Sequence, residues 1–385
     1  MGKRVFIIMQ MDLIYYPPAL TLIKTLCDLK YMPIYVGEYS DEKQKSELTK
    51  RGVRFIDAPK FNPKASLLKK WVTYIRYKHF VYRILETYET NDRDEVWLLN
   101  DGRVLLLLVL DKIVKKYKTV VQLYEFSLFK YSWKHRLLNP FFNAQKTLQQ
   151  AHKVVCCEYN RAQIEKNIFQ LNKTPHILPN KPYEEETDKI PDDIRAVLNG
   201  ISGKVAHKRV LLYQGIILQR ERRLDEFCEA ISELPEEYVL VIMGQTTPYA
   251  QNLRAKYPSE KILFVPFIRP PYHLLVTQMA SIGILSYIPD NSNMEDVINT
   301  IYCAPNKIFE YAKYNKPMIA NDVPGLKYIF SQYGCGEVVD YPLKAQEIVE
   351  KIHAIEMHYP EYANNARKYY DSIQLPSIIK QIIEE

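Results

Sequence analysis

At 385 residues with 47% hydrophobic content, the chain is long enough for two globular domains and too apolar for a disordered protein. Its six cysteines, Cys27, Cys156, Cys157, Cys228, Cys303 and Cys335, form no CxxC pair and no zinc spacing, so reduced thiols in a cytoplasmic compartment are expected and a structural metal is not. The net charge of +7 joins a basic first part, with 30 Lys and Arg against 17 Asp and Glu over residues 1–180, to a mildly acidic remainder with 22 against 28. A basic face of that kind fits nucleic acid, an anionic membrane surface or phosphorylated substrates, and charge alone does not choose among them.

In chain order, Lys3 and Arg4 precede an apolar run as they would in a signal peptide. That run stops at Gln10 and Asp12, short of a leader's apolar stretch and cleavage site, so a strand is expected over 3–10. Further strands are expected at 32–37, 53–57, 95–99, 118–124 and 153–157, with helices such as 19–29 and 160–171 between them. The aliphatic run "VLLLLVL" at 104–110, closed by Arg103 and Asp111, is far short of the ~20 residues that a bilayer span needs. "DRD" at 92–94 resembles a metal-binding DxD but precedes a strand instead of following one, and a solvated loop is expected there. Three prolines, an acidic cluster and two glycines over 178–208 mark a linker.

Beyond the linker the pattern repeats, with strands at 208–214, 238–243, 261–267, 282–288, 316–320 and 335–340. Strands alternating with helices, several of them apolar on both faces, predict parallel doubly wound sheets. The expected fold is α/β, two Rossmann-like domains facing a cleft: a first domain over 1–181, a linker over 182–207, a second domain over 208–358, and helices over 359–385 that pack back on the first. Ligands of such sheets bind at the carboxyl ends of the strands, against helix N-termini.

Two stretches of the second domain carry candidate chemistry. In "CAPNKIFEYAKYNKPMIANDVPG", 303–325, Pro305 suits the first position of a helix, while Cys303 and Ala304 are poor N-caps. The amides near Asn306 and Lys307 then lack a side-chain acceptor, and an anion could fill that role, favoured by the helix dipole and the Lys307 ammonium. Glu310 sits five residues beyond Pro305, roughly 7 Å along the axis at about 1.5 Å per residue, a separation that suits a carboxylate holding sugar hydroxyls while the amides hold a diphosphate. The same residues also fit an ordinary amphipathic helix with water-capped amides. In "YQGIILQRERRLDEF", 213–227, Gly215 allows close backbone approach, and Arg220, Arg222 and Arg223 could clamp a diphosphate. A solvated basic loop balanced by Glu221, Asp225 and Glu226 is the alternative.

Together these stretches, spaced about 80 residues apart, resemble the donor half of GT-B glycosyltransferases of the large retaining family 4 group. There a strand, a glycine and a loop with Arg or Lys precede a P-N-K-[LI]-F-E-Y helix. The resemblance covers most of 208–340 and extends weakly into the first domain through "KVVCCEYNRAQIEKN" and "PHILPNKP". It implies a hexosyltransferase-like enzyme, retaining and metal-independent, that moves a sugar from a UDP- or GDP-sugar to a glycan acceptor, lipid-linked, in surface polysaccharide biosynthesis. Glu310 would bind the ribose hydroxyls. Arg222, Lys307 and the amides around Pro305 to Lys307 would neutralise the diphosphate, and Gly244, Gln245, Phe267 and Ile268 would line the nucleotide side. Where the family often has a glutamate contacting the donor sugar, eight positions before Glu310, this chain has Tyr302. No cofactor is implied beyond the nucleotide sugar itself. A GT-B nucleotide-sugar epimerase, or a degenerate glycan-binding or partner-binding relative, would share much of the pattern. A nicotinamide oxidoreductase is disfavoured because no GxGxxG follows a strand.

On the acceptor side, Glu125 falls where the family often places a polar residue at a strand end, as a contact or base. Asp12, Tyr15, Asn100 and Asp101 occupy comparable strand ends. The basic excess gathers at 61–83, with six Lys or Arg and no acid, and at 126–146, with four more. Both interleave cations with aromatics, as at an anionic membrane interface. Against this, the Leu68, Val72 and Ile75 stripe could pack on the sheet with the cations in water. No RNA-binding signature accompanies the charge, so nucleic acid is not expected. The expected location is cytoplasmic, peripheral at the inner face of the membrane.

Overall fold

The computed structural model describes residues 3–62, 64–101, 105–185, 189–289 and 292–385. Arg103 and Val104, at the head of the aliphatic run, and 186–188 of the expected linker lie outside the described residues. The chain divides into two compact units, one formed by 1–183 with 374–385 and the other by 184–373.

The first unit is built on seven parallel strands: β1 (Arg4–Asp12), β2 (Met32–Glu38), β3 (Arg54–Asp57), β4 (Glu95–Asn100), β5 (Thr119–Leu123), β6 (Lys153–Cys156) and β7 (His176–Ile177). Their order is β3-β2-β1-β4-β5-β6-β7. The second unit has six: β8 (Arg209–Gln214), β9 (Tyr238–Gly244), β10 (Ile262–Pro266), β11 (Ile282–Leu285), β12 (Met318–Asn321) and β13 (Gly336–Val339), ordered β10-β9-β8-β11-β12-β13. Every strand pairing is parallel. Val5 to Met9 in β1 and the whole of β9 are buried, because helices cover both faces of a parallel sheet, and such strands read as unbroken apolar runs. In each sheet the order reverses at one point, between β1 and β4 and between β8 and β11, and the crevice at those strand ends is where open α/β sheets receive ligands.

Three boundaries differ from the sequence expectation. Within the expected linker, Asp192–Val205 is a helix whose Ile194, Leu198, Ile201 and Val205 pack into the core of the second unit. The Tyr359–Ser372 helix joins that core through Ala366, Tyr369 and Tyr370. Only the Leu375–Glu384 helix belongs to the first unit, where the carbonyls of Ile382 and Ile383 accept hydrogen bonds from the ammonium groups of Lys153 and Lys3, cations at the end of a helix where they are favoured. In the DRD loop, Asp92 and Arg93 are exposed as expected, and only Asp94 departs. Asp94 is buried and receives Nε and Nη2 of Arg4 at 2.7 and 2.6 Å, so it holds the start of β1 in place and is not a solvated loop residue.

Candidate active site

The ends of β8 and β11 define the site. Gly215 follows β8 with a φ of +127°, a conformation that glycine adopts without strain. A Cβ there would lie 2.9 Å from the Nζ of Lys307, so the missing side chain is also the space occupied by the lysine head. A Cβ on Gly244, at the end of β9, would lie 2.2 Å from the Gly215 carbonyl oxygen, so the loop can rest on that strand end only over a glycine. The loop is then fastened to the end of β11: Ser286 Oγ donates to the Arg223 carbonyl at 2.7 Å, and the Ile288 N–H donates to the Glu221 carbonyl at 3.1 Å. This brings the Arg222 guanidinium 4.1 Å from the ring centroid of Tyr287. Tyr287 is fixed in turn by Asn321, whose amide accepts from its N–H at 2.7 Å and donates to its carbonyl at 2.6 Å.

The Asn306–Lys313 helix meets this junction end-on. Pro305 is its N-cap and not its first helical residue, and no side chain caps the first turn, which leaves orphan amides at that end. Ile308, Phe309, Tyr311 and Ala312 are buried. Tyr311 ties the helix to the sheet: its hydroxyl donates to the Leu212 carbonyl at 2.9 Å, and its ring fills the space where a Cβ on Gly283 would approach within 2.4 Å.

Two cations and one carboxylate result. Lys307 Nζ lies 5.0 Å from the Tyr213 ring centroid and 5.4 Å from that of Tyr287, the range of cation–π contact. Burial, and then the charge of Arg222, pull the Lys307 ammonium down to about 7, against a weaker upward pull from Glu310. Glu310 receives Gln214 Nε2 at 2.6 Å and faces His273 Nε2 at 3.1 Å. Thr277 Oγ1 donates to Gln214 Oε1 at 2.8 Å, which fixes the amide so that its NH₂ points at the carboxylate. Burial pushes the Glu310 carboxyl up, but His273, Gln214 and Lys307 more than offset it and hold it below its ordinary value. Two acceptor positions of that carboxylate remain beyond the two filled by Gln214 and His273.

Gln214, His273, Thr277, Tyr213, Tyr287 and Asn321 were not among the residues singled out from sequence. The one local signal was Gln214, a polar residue closing an apolar strand. Of the three loop arginines, only Arg222 stands beside Lys307. Arg223 pairs with Glu226 at 3.1 Å, and Arg220 lines a separate open depression with Arg223, Asp225, Glu226 and Lys256. Gly244 and Gln245 border a cavity of about 110 Å³ with Thr246, Arg254 and Phe264. Beyond β10, Phe267 is exposed and Ile268 is buried. Tyr302 is half-buried at the end of the Met294–Ile301 helix, its Cα 3.1 Å from where a Cβ on Gly325 would stand.

In the first unit, the strand-end candidates separate. The Asp12 carboxylate accepts the N–H groups of Ile14 at 3.1 Å and Ser40 at 3.2 Å, so it fastens two loops together. Glu125 is paired at 3.0 Å with the buried Arg161. Tyr15 is largely exposed. Asn100 and Asp101 are buried at the end of β4, where Asp101 accepts from the Tyr16 hydroxyl and the Tyr16 and Tyr124 rings lie 5.8 Å apart. Both amide atoms of Asn100 lack a partner among the described residues.

No protein-family model matches the sequence, and no curated protein matches it significantly. Solved structures do match. A glycosyltransferase from Rickettsia africae is 14% identical with a TM-score of 0.68, covering 100% of this chain and 97% of that one. Anabaena Alr3699/HepE in complex with UDP is 14% identical with a TM-score of 0.66, covering 99% and 98%. WaaG, a glycosyltransferase involved in lipopolysaccharide biosynthesis, is 14% identical with a TM-score of 0.60, covering 99% and 98%. With two parallel sheets in the strand orders given above, these likenesses show that the chain has the GT-B fold.

Proposed function

We propose that the protein is a glycosyltransferase that moves a hexose from a UDP- or GDP-linked donor to a glycan acceptor. The observation that carries this reading is the end of the Asn306–Lys313 helix: uncapped amides, Lys307 and Arg222 gathered at its N-terminus, and Glu310 one turn inside, held by Gln214 and His273. A departing nucleoside diphosphate needs its developing charge met by groups already in place. Arg222, Lys307 and the first-turn amides supply them from the chain itself, and the reading is therefore of metal-independent transfer. The free acceptor positions of Glu310 suit ribose hydroxyls, and the cavity beside Gly244 and Gln245 suits the base. HepE, solved with UDP and also with UDP-glucose, supports nucleotide-sugar binding on this fold. WaaG, named for lipopolysaccharide biosynthesis, supports a lipid-linked acceptor in surface polysaccharide assembly. The reading places the enzyme in the cytoplasm, with retention of configuration at the transferred sugar.

Calorimetric titration of nucleoside diphosphates and their sugars tests it. Wild type should bind a uridine or guanosine diphosphate, and Glu310→Ala should bind it at least tenfold more weakly, since a hydrogen bond to a charged group is worth about 1.5–3 kcal/mol. Failure of every nucleotide to bind wild type would remove the donor site. The likeness to a Listeria monocytogenes structure titled as a putative UDP-N-acetylglucosamine 2-epimerase, 11% identical with a TM-score of 0.64, favours a second reading, which conversion of the donor sugar without any acceptor would establish.

A further inference from the structure

The strands of the first unit begin, at the end of the sheet away from Asn100 and Asp101, with a row of charged and titratable residues. Lys3 precedes β1, Glu95 opens β4, Lys118 precedes β5, Lys153 opens β6 and His176 opens β7. Glu95 is buried and forms ion pairs with Lys3 at 2.9 Å and Lys118 at 3.0 Å. Where β6 and β7 begin there is a cavity of about 300 Å³, with His152, Lys153, Asn172, Lys173, Thr174 and His176 on its wall. Among the described residues the only acid lining it is Glu385, whose carboxylate already accepts from Gln381 Nε2 at 2.6 Å.

Lys153 is the unusual member of that wall. It is 8% exposed, and its ammonium donates to the neutral Ile382 carbonyl but makes no ion pair among the described residues, Glu95 being taken by Lys3 and Lys118. A buried charge is ordinarily paired, and an ammonium has three donors to place. This one spends one of them on a carbonyl and borders an open space. The side chains of Lys173, His152 and His176 likewise make no hydrogen bond or ion pair among the described residues. Burial, Lys118, Lys153 and Lys3 hold the His152 imidazole below its ordinary pKa against Glu95. Burial does the same to His176, with Lys153 and Lys173 adding to it and Glu385 opposing.

We propose that this cavity binds orthophosphate or a small phosphomonoester as a ligand distinct from the sugar donor, with the phosphoryl oxygens on Lys153, Lys173, His152 and His176 and the hydroxyls of the esterified group on Asn172 and Thr174. Two ammonium groups call for a ligand of two negative charges, and hydrogen bonds between charged partners are the strong ones. A phosphoryl dianion meets both where a carboxylate meets one. The volume lies at the lower end of the range for small-molecule sites, which suits a compact ester and not a polymer that presents its phosphates along an extended surface. The site lies wholly in the first unit, at the opposite end of its sheet from the strand ends where open α/β sheets receive substrates, so it stands whether or not the transferase reading does.

Calorimetric titration of the full chain with orthophosphate and with glucose 6-phosphate, at constant ionic strength in chloride, tests the proposal. The diphosphate groups of the second unit would also take phosphate, so the titration is run on Lys307→Met, which lacks the lysine there. That chain should bind one equivalent of ligand. Adding His152→Ala and Lys173→Ala, both at exposed positions, should weaken binding by about tenfold or more, since hydrogen bonds to charged groups are lost. Adding Lys153→Met instead should abolish it, and the exposed pair keeps the test decisive if that buried position does not tolerate change. Proton resonances of the His152 and His176 imidazoles should titrate at higher pH with phosphate present, because a nearby anion favours the charged form. The proposal is overturned if Lys307→Met binds neither ligand, if the exposed pair of substitutions leaves affinity unchanged, or if the signal follows ionic strength and not phosphate. Failure of wild type to bind any nucleotide would sink the transferase reading and leave this site untouched.

Discussion

Lys307 stands at the point where the buried charge of this site is least settled. Between about 7 and its ordinary 10.5, the folded protein leaves it neutral while the unfolded chain keeps it protonated. More protons on the unfolded state mean that stability rises with pH through that window. Lys307→Met should flatten the rise, which urea midpoints taken across the window would show, and should be the more stable protein at neutral pH. A bound diphosphate reverses the balance by favouring the charged form. Nucleoside diphosphate binding at about pH 8.5 should then take up a proton and weaken as pH rises further. Calorimetry in buffers of differing ionisation enthalpy should detect that uptake in wild type and not in the methionine variant. Lys307 and Glu310 were legible in the sequence because they sit one helical turn apart. Their partners were not: Gln214 reaches Glu310 from 96 residues away, and only the parallel sheet makes them neighbours.

The Asn306–Lys313 helix owes its position to glycines on the strands it faces. Gly283→Ala would drive a Cβ to within 2.4 Å of the Tyr311 ring. Displacing that ring should cost about 1–3 kcal/mol, the usual range for overpacking, and should weaken nucleotide binding by shifting the helix end. Gly200→Ala is the matching control. It lies in the Asp192–Val205 helix with nothing within 4 Å of its Cβ, so it should stabilise by about 0.5–1 kcal/mol. Denaturant titration of both variants, with nucleotide titration beside it, checks the pair. At this scale the sequence was most readable: short aliphatic or β-branched runs marked every strand but β7, whose two residues are too few to form a pattern. Pro305 shows the limit. Proline fixes its own φ, and that value serves both the N-cap and the position after it.

At the scale of the whole chain, the sequence showed that helices end it but not which core each would join. The Tyr359–Ser372 and Leu375–Glu384 helices are both amphipathic. What separates them is partner geometry: Tyr369 stacks on Phe309 at 5.3 Å in the second unit, whereas Leu375, Ile379, Ile382 and Ile383 are buried in the first. Truncation after Ile373 should therefore destabilise the first unit by on the order of 5 kcal/mol, from the aliphatic burial lost, and leave nucleotide binding to the second intact. Thermal unfolding followed with and without nucleotide would separate the two. The same arrangement bears on synthesis. A ribosome making this chain releases every residue of the second unit before the helix that completes the first, so the sheet translated earliest must wait with the site for that helix uncovered. Chaperones that shield exposed apolar surface should find their longest-lived target on the N-terminal unit, and a ribosome-stalled chain ending at Ile373 should expose it.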